Sequence, residues 1–109
     1  MTVKDLIEKA PLTACALPDP EREISGAYIG DLLSWVMGRA GDGCAWITIM
    51  SNINVAAVAV LADVACVILA ENVSPDDDML KAAEDKGINL LISPLPAYET
   101  AAILHGMGI

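Results

Sequence analysis

The sequence predicts an α/β fold of three layers, α/β/α, with helices on both faces of a mainly parallel central sheet. Three observations predict it. Short β-rich apolar runs alternate with helical patterns of ten residues or so, which implies β-α-β crossovers. The strand runs are apolar almost throughout, as strands covered on both faces are. The chain of 109 residues is 55% hydrophobic, enough for one domain, residues 1–109, burying roughly two thirds of the surface its unfolded form exposes.

Thr2 is placed to cap a first helix running through Lys9, with Asp5 returning the bond of a capping box and Pro11 preventing much continuation. Thr13 to Leu17 reads as a short strand. The proline-broken charged stretch 18–23 reads as a surface loop, followed by an extended piece around Ile24. From Ile29 the positions Leu32, Leu33, Val36, Met37 and Ala40 follow helical spacing until Gly41-Asp42-Gly43. Cys44 to Met50 reads as a central strand, Ile53 to Ala62 as a helix and Cys66 to Ala70 as a second buried strand. Ser74 then caps a helix with Pro75 in its first position, Asp76 to Asp78 at its positive end and Gly87 closing it. Leu90 to Ser93 is the last strand, and a helix from about Pro96 to His105 ends the pattern.

Charge excludes one class of partner. Six basic against fifteen acidic residues leave a formal charge of −9, and such a chain repels a phosphate backbone, so no nucleic acid is expected. The twenty residues between Asp42 and Asp63 carry no charge, a length that could span a bilayer. The polar cluster Ser51, Asn52 and Asn54 at their middle divides them into strand, loop and helix, so no membrane span is expected. Lys4, Asp5, Glu8 and Lys9 exclude the apolar core of a signal peptide, and a cytoplasmic location follows as an expectation. Cys15, Cys44 and Cys66 are odd in number and share no C-x-x-C spacing. They read as buried free thiols, with no metal and no cofactor expected.

In open α/β sheets ligands bind beyond the carboxyl ends of the strands. That edge gathers Ser51, Asn52 and Asn54, then Glu71, Asn72 and Ser74, then Ser93 and Thr100. It forms a polar rim with helix N-termini, suited to a small anion through backbone N–H groups. The alternative is that these residues only cap helices and turns. Neither G-x-x-x-x-G-K-[ST] nor G-x-G-x-x-G occurs. Asp76-Asp77-Asp78 point in different directions on one helical turn, and His105 has no evident catalytic partner. An enzyme is not expected. Trp35 lies about 120° from the Leu32, Leu33, Val36 face at 100° per residue, which places it at the flank or outside as a candidate interface residue. A homodimer is the expected assembly.

The runs Ile29-Gly30-Asp31-Leu32-Leu33-Ser34-Trp35-Val36-Met37, Ala45-Trp46-Ile47-Thr48-Ile49, Asn54 to Leu61, and Gly87-Ile88 to Glu99-Thr100-Ala101 resemble the DRTGG domain family over most of the chain. That family is similar to the N-terminal domain of HPr kinase, accompanies phosphate acetyltransferases and CBS-containing pyrophosphatases, and has small members beside hydrogenase and other anaerobic redox genes. The resemblance implies a three-layer α/β/α fold, frequent dimerisation, and a non-catalytic regulatory or protein-interaction role with a partner that could be hydrogenase-related. Where the family's Asp-Arg is expected this chain has approximately Ser51-Asn52, and where Gly-Gly is expected it has Glu71-Asn72. The charged pair and the flexible turn are thus expected to be missing, while Tyr98-Glu99-Thr100-Ala101 keeps the look of the last motif.

Overall fold

Thr2 accepts a hydrogen bond from the Asp5 N–H and Asp5 returns one to the Thr2 N–H, so the first helix, α1 (Val3–Lys9), begins where its capping box dictates. The computed structural model describes residues 1–109. Beyond α1 come β1 (Thr13–Ala16), β2 (Gly26–Ile29), α2 (Leu33–Arg39), β3 (Cys44–Thr48), α3 (Ile53–Ala62), β4 (Cys66–Leu69), α4 (Asp77–Lys86), β5 (Leu90–Ile92) and α5 (Ala97–Gly106). The sheet order is β1-β5-β4-β3-β2. Strands β2 to β5 are parallel, and β1 closes the far edge antiparallel to β5. The fold is α/β, as expected.

Alternation along the central strands builds two cores. Cys44 and Trp46 of β3, Val67 and Leu69 of β4 and Leu90 of β5 pack with Val36, Val55, Ala59, Met79 and Ala83 from α2, α3 and α4. On the opposite face Ala45, Ile47, Cys66, Ile68 and Leu91 pack with Val3, Leu6 and Leu104 from α1 and α5. Every residue of β3 and β4 is buried, which is why their sequences show no polar alternation. Cys44 and Cys66 face opposite cores, so no disulfide joins them. Burial first, and Cys44 second, push the Cys66 thiol up to about 12. Cys15 departs from the expectation of a buried thiol: it lies on edge strand β1 and is half-buried.

Three further differences have physical reasons. Ile29 does not open a helix; it ends β2, and α2 starts four residues later. An apolar pattern at positions 29, 32 and 33 suits either state, and the parallel pairing of Gly26–Ile29 with Cys44–Ile47 decides it. Ser74 caps nothing and Pro75 lies outside α4, whose N-cap is Asp76. The Asp76 N–H donates to the Ser51 carbonyl at 2.9 Å, which holds this residue extended and delays the helix. β3 stops at Thr48, two residues short of the expected Met50.

Asn89, 1% exposed, ties the charged loop to the sheet. Its Oδ1 accepts from the Asp19 N–H, and its Nδ2 donates to the carbonyls of Asp19 and Ala65 at 2.7 and 3.0 Å. Asp63, in the left-handed cap of α3, is paired with Arg22 at 3.0 Å. The Arg22 hydrogen bond holds the Asp63 carboxyl below the usual range.

Candidate functional site

The rim exists where the parallel strands end, and most of its polar atoms are bonded within the chain. Asn52 is the N-cap of α3, and its Oδ1 accepts from the Asn54 N–H at 2.9 Å. One of the backbone donors at this helix end, the Asn54 N–H, is therefore occupied, while the Asn54 side chain is exposed. Ser51 is half-buried; its carbonyl accepts from Asp76, and its hydroxyl sits 3.5 Å from the Asp76 carboxylate.

Ser93 and Thr100 are both 1% exposed, and their hydroxyls bond each other at 2.7 Å. Thr100 Oγ1 also donates to the Pro96 carbonyl at 2.9 Å, and Ser93 Oγ accepts from the Leu95 N–H at 3.2 Å. These two residues join the end of β5 to the first turn of α5 and present no open group to a ligand.

Glu71 and Asn72 are exposed, and both adopt left-handed backbone, φ 60° and 55°. The turn expected to be lost with the Gly-Gly pair is thus retained without glycine. Its N–H groups point inward, Glu71 to the Leu95 carbonyl at 2.9 Å and Asn72 to the Ser93 carbonyl at 2.8 Å. Those two bonds hold non-glycine residues in a region that costs roughly 1–2 kcal/mol for a residue with a Cβ.

The structure adds a pair that sequence reasoning missed. Asp31 Oδ1 accepts from the Thr48 hydroxyl at 2.7 Å and from the Ile49 N–H at 3.2 Å. It thereby fastens the β2–α2 turn to the end of β3. The available signal was a lone Asp after Gly30 between strand and helix, but its partner depends on a pairing register that no local pattern encodes. With Glu71 and Asp76, Asp31 makes the rim acidic, and the stretches 30–32, 48–54, 70–76 and 93–96 contain no Lys or Arg.

The two concavities lie elsewhere. A groove of about 240 Å³ runs between β2 and α5, lined by Ala27, Ile29, Ala101, Leu104, His105 and Ile109. A second, of about 280 Å³, separates Ile53 from Asp78, Lys81, Ala82, Asp85 and Lys86 of α4. Trp35 is half exposed, and the Arg39 guanidinium stacks over its ring at 3.8 Å. The inner face from which its angle is reckoned is narrower than expected: Val36 is buried and Leu33 half-buried, whereas Leu32, which is the N-cap and not a helical residue, and Met37 are exposed.

Fold and rim together define a three-layer α/β domain whose strand-end loops are closed by their own polar groups. The chain belongs to the DRTGG domain family, whose model matches residues 24–107, from just before β2 to the end of α5. Its fold is similar to that of the CBS and DRTGG domains in the regulatory region of Clostridium perfringens pyrophosphatase, solved with the activator diadenosine tetraphosphate. The TM-score is 0.73 at 10% identity, covering 94% of this chain and 45% of that one. The chain thus spans less than half the length of that structure. No curated protein matches the sequence.

Proposed function

We propose that this chain is a non-catalytic regulatory module that works through protein contacts, as a homodimer and with a partner protein docked at Trp35. The observation that carries the reading is the contrast between a rim whose hydroxyls and cap are bonded within the chain and a surface that leaves Leu32, Trp35, Met37 and Leu61 in water. An exposed Trp, with other large apolar side chains left in water on so small a domain, supports macromolecular contact. Family membership supports the regulatory role and, through the company its small members keep, a cytoplasmic setting in anaerobic energy or redox metabolism with a hydrogenase-related partner.

A second reading, a sensor of a small anionic metabolite or nucleotide, draws on the retained left-handed turn at Glu71-Asn72 and on the helix N-terminus behind Asn52. Its residues would be Ser51, Asn52, Asn54, Glu71 and Asn72, with Ser93 and Thr100 supporting them from beneath.

One experiment separates the two. Native extract is passed over immobilised wild-type protein and over Trp35→Ala, while a thermal-shift panel covers nucleotides, diadenosine tetraphosphate, acetyl phosphate and pyrophosphate. The expected result is a captured protein that Trp35→Ala loses, with no ligand shift. A ligand at a hundred times its dissociation constant stabilises by about 2.7 kcal/mol; such a shift, abolished by Asn52→Ala, makes the sensor reading the better one.

A further inference from the structure

The two edges of the sheet are protected unequally. Edge strand β1 lies between Pro11 and Pro18, and its pairing with β5 is interrupted by a bulge between Ala14 and Ala16. Prolines and bulges are ordinary means by which an edge discourages a further strand. The opposite edge, β2 (Gly26–Ile29), pairs with β3 without a break and contains no Pro and no charge. Its outer row of backbone N–H and C=O groups has no strand beside it.

The groove of about 240 Å³ runs along that edge. Ala27 and Ile29, alternate residues of β2, form its floor, and Ile29 is 49% exposed. Ala101, Leu104 and His105 of α5 form its wall. Helical spacing puts Tyr98, 80% exposed, on the same face as Ala101 and His105.

We propose that β2 is a strand-addition site whose occupant is an extended segment of a partner protein in which apolar residues alternate with Lys or Arg. An added strand satisfies the outer backbone groups of β2, and its pleat sends every second side chain over Ala27 and Ile29 into the groove. Five of the six residues lining the groove are apolar, so the side chains it takes are apolar. Charge selects the others. Glu23 precedes β2 and Asp31 follows it, and the stretches 23–38 and 94–109, which supply the strand and the helix wall, contain no Lys or Arg. Glu23 meets the Met1 amino group, whereas Asp31 accepts hydrogen bonds from Thr48 and Ile49 and has no cation beside it. On a chain of −9 this edge attracts a basic segment and repels an acidic one. A second copy of β2, antiparallel across a two-fold axis, would bring the Glu23 end of one edge against the Asp31 end of the other. The site is separate from Trp35, because α2 covers one core and α5 the other, on opposite faces of the sheet. The inference therefore goes beyond docking at Trp35 and does not depend on it.

The probe is an acetylated, amidated heptapeptide of alternating lysine and valine, titrated into the isotope-labelled full chain and followed by NMR. Amide shifts should concentrate in residues 26–30 and along α5, with nuclear Overhauser contacts between the peptide backbone and that of β2. The same peptide with glutamate in place of lysine should bind roughly tenfold or more weakly. Methyl groups on the valine nitrogens and on the lysine nitrogens block opposite edges of an extended strand, so one of these two peptides should lose binding and the other keep it. Ala27→Lys aims a cation into the groove, as protected edges do, and His105→Lys adds one at an exposed position on the wall. Each should weaken the lysine peptide by roughly tenfold with unchanged circular dichroism, while Trp35→Ala binds it as the wild type does. The proposal is overturned by absence of binding, by equal affinity for the lysine and glutamate peptides, by an equal response to the two methylations, or by shifts centred on α2. A wild-type dimer that Ala27→Lys dissociates also overturns it, since β2 is then covered by its own copy. Peptide binding without any Trp35-dependent capture from extract sinks the docking role of Trp35 alone. Trp35-dependent capture without peptide binding sinks only this site.

Discussion

Asn52 caps α3 and Ile53 begins its outer face, so the strand-end rim and the helix surface meet at a single peptide bond. The rim is polar in composition, yet its buried hydroxyls and its cap answer one another: Ser93 with Thr100, Asp31 with Thr48, Asn52 with the N–H it caps. The face is apolar, and its outer half answers nothing within the chain. A polar group already hydrogen-bonded gains little from a ligand, because binding would exchange one bond for another. Apolar area left in water keeps a favourable free energy of transfer that only association can realise. Residue type at a strand end is therefore weaker evidence of a binding site than the bonding state of each atom.

If the rim is structural, its largest penalty should come from its buried pair. Thr100→Val keeps the shape of the side chain but removes the hydroxyl that bonds Ser93 and Pro96. Leaving the Ser93 hydroxyl with one partner fewer at 1% exposure should lower stability by about 1–3 kcal/mol. Urea denaturation should show a lower midpoint at an unchanged slope. A change within about 0.5 kcal/mol would mean that the pair contributes nothing structurally, and the contrast with α3 would collapse.

A smaller effect is expected at the cap. Asn52→Ala removes the acceptor for the Asn54 N–H and should cost about 1 kcal/mol, read from the same denaturation curves. The loss should be the same with and without acetyl phosphate or nucleotide, since the cap serves the helix and not an anion. A ligand-dependent difference between wild type and variant would transfer Asn52 from structure to binding.

The layers were legible from burial patterning, and the site was legible only as a location. The short, almost wholly apolar stretches at Cys44–Thr48 and Cys66–Leu69, rich in β-branched residues and bounded by turn signals, read as covered strands, and Gly87, at φ 76°, ends α4 as its sequence position requires. Gly26–Ile29 was obscure because four residues of an edge strand carry little pattern of their own and their pairing with β3 is non-local. The same non-locality hid Asp31, which meets Thr48 only after β2 and β3 have aligned. The spacing of Ser93 and Thr100 along the chain suits open rim groups and does not reveal that the end of β5 and the first turn of α5 bury them against each other.

The left-handed turn offers a stabilising change. Glu71 has φ 60° and no side-chain hydrogen bond that explains it. Glu71→Gly relieves about 1 kcal/mol of left-handed cost and gives back part of that through the greater freedom of glycine in the unfolded chain. A net gain of roughly 0.5 kcal/mol is expected, visible as a higher urea midpoint. Asn72→Gly should be closer to neutral, because asparagine tolerates this region better than glutamate. Loss of stability in Glu71→Gly would show that the glutamate side chain holds the turn, and the rim would then have one more internal bond than is described above.

The smallest expected effect lies on α3, and its smallness is informative. Leu61 is 74% exposed, so folding a single chain removes little of its side chain from water. Leu61→Ser should therefore change the stability of the isolated chain by no more than about 0.5 kcal/mol, measured at nanomolar concentration by fluorescence of Trp46 and Trp35. A variant destabilised by more than that would place Leu61 among the residues that hold the chain's own fold, and the contrast between a rim bonded within the chain and a helix face left in water would fail.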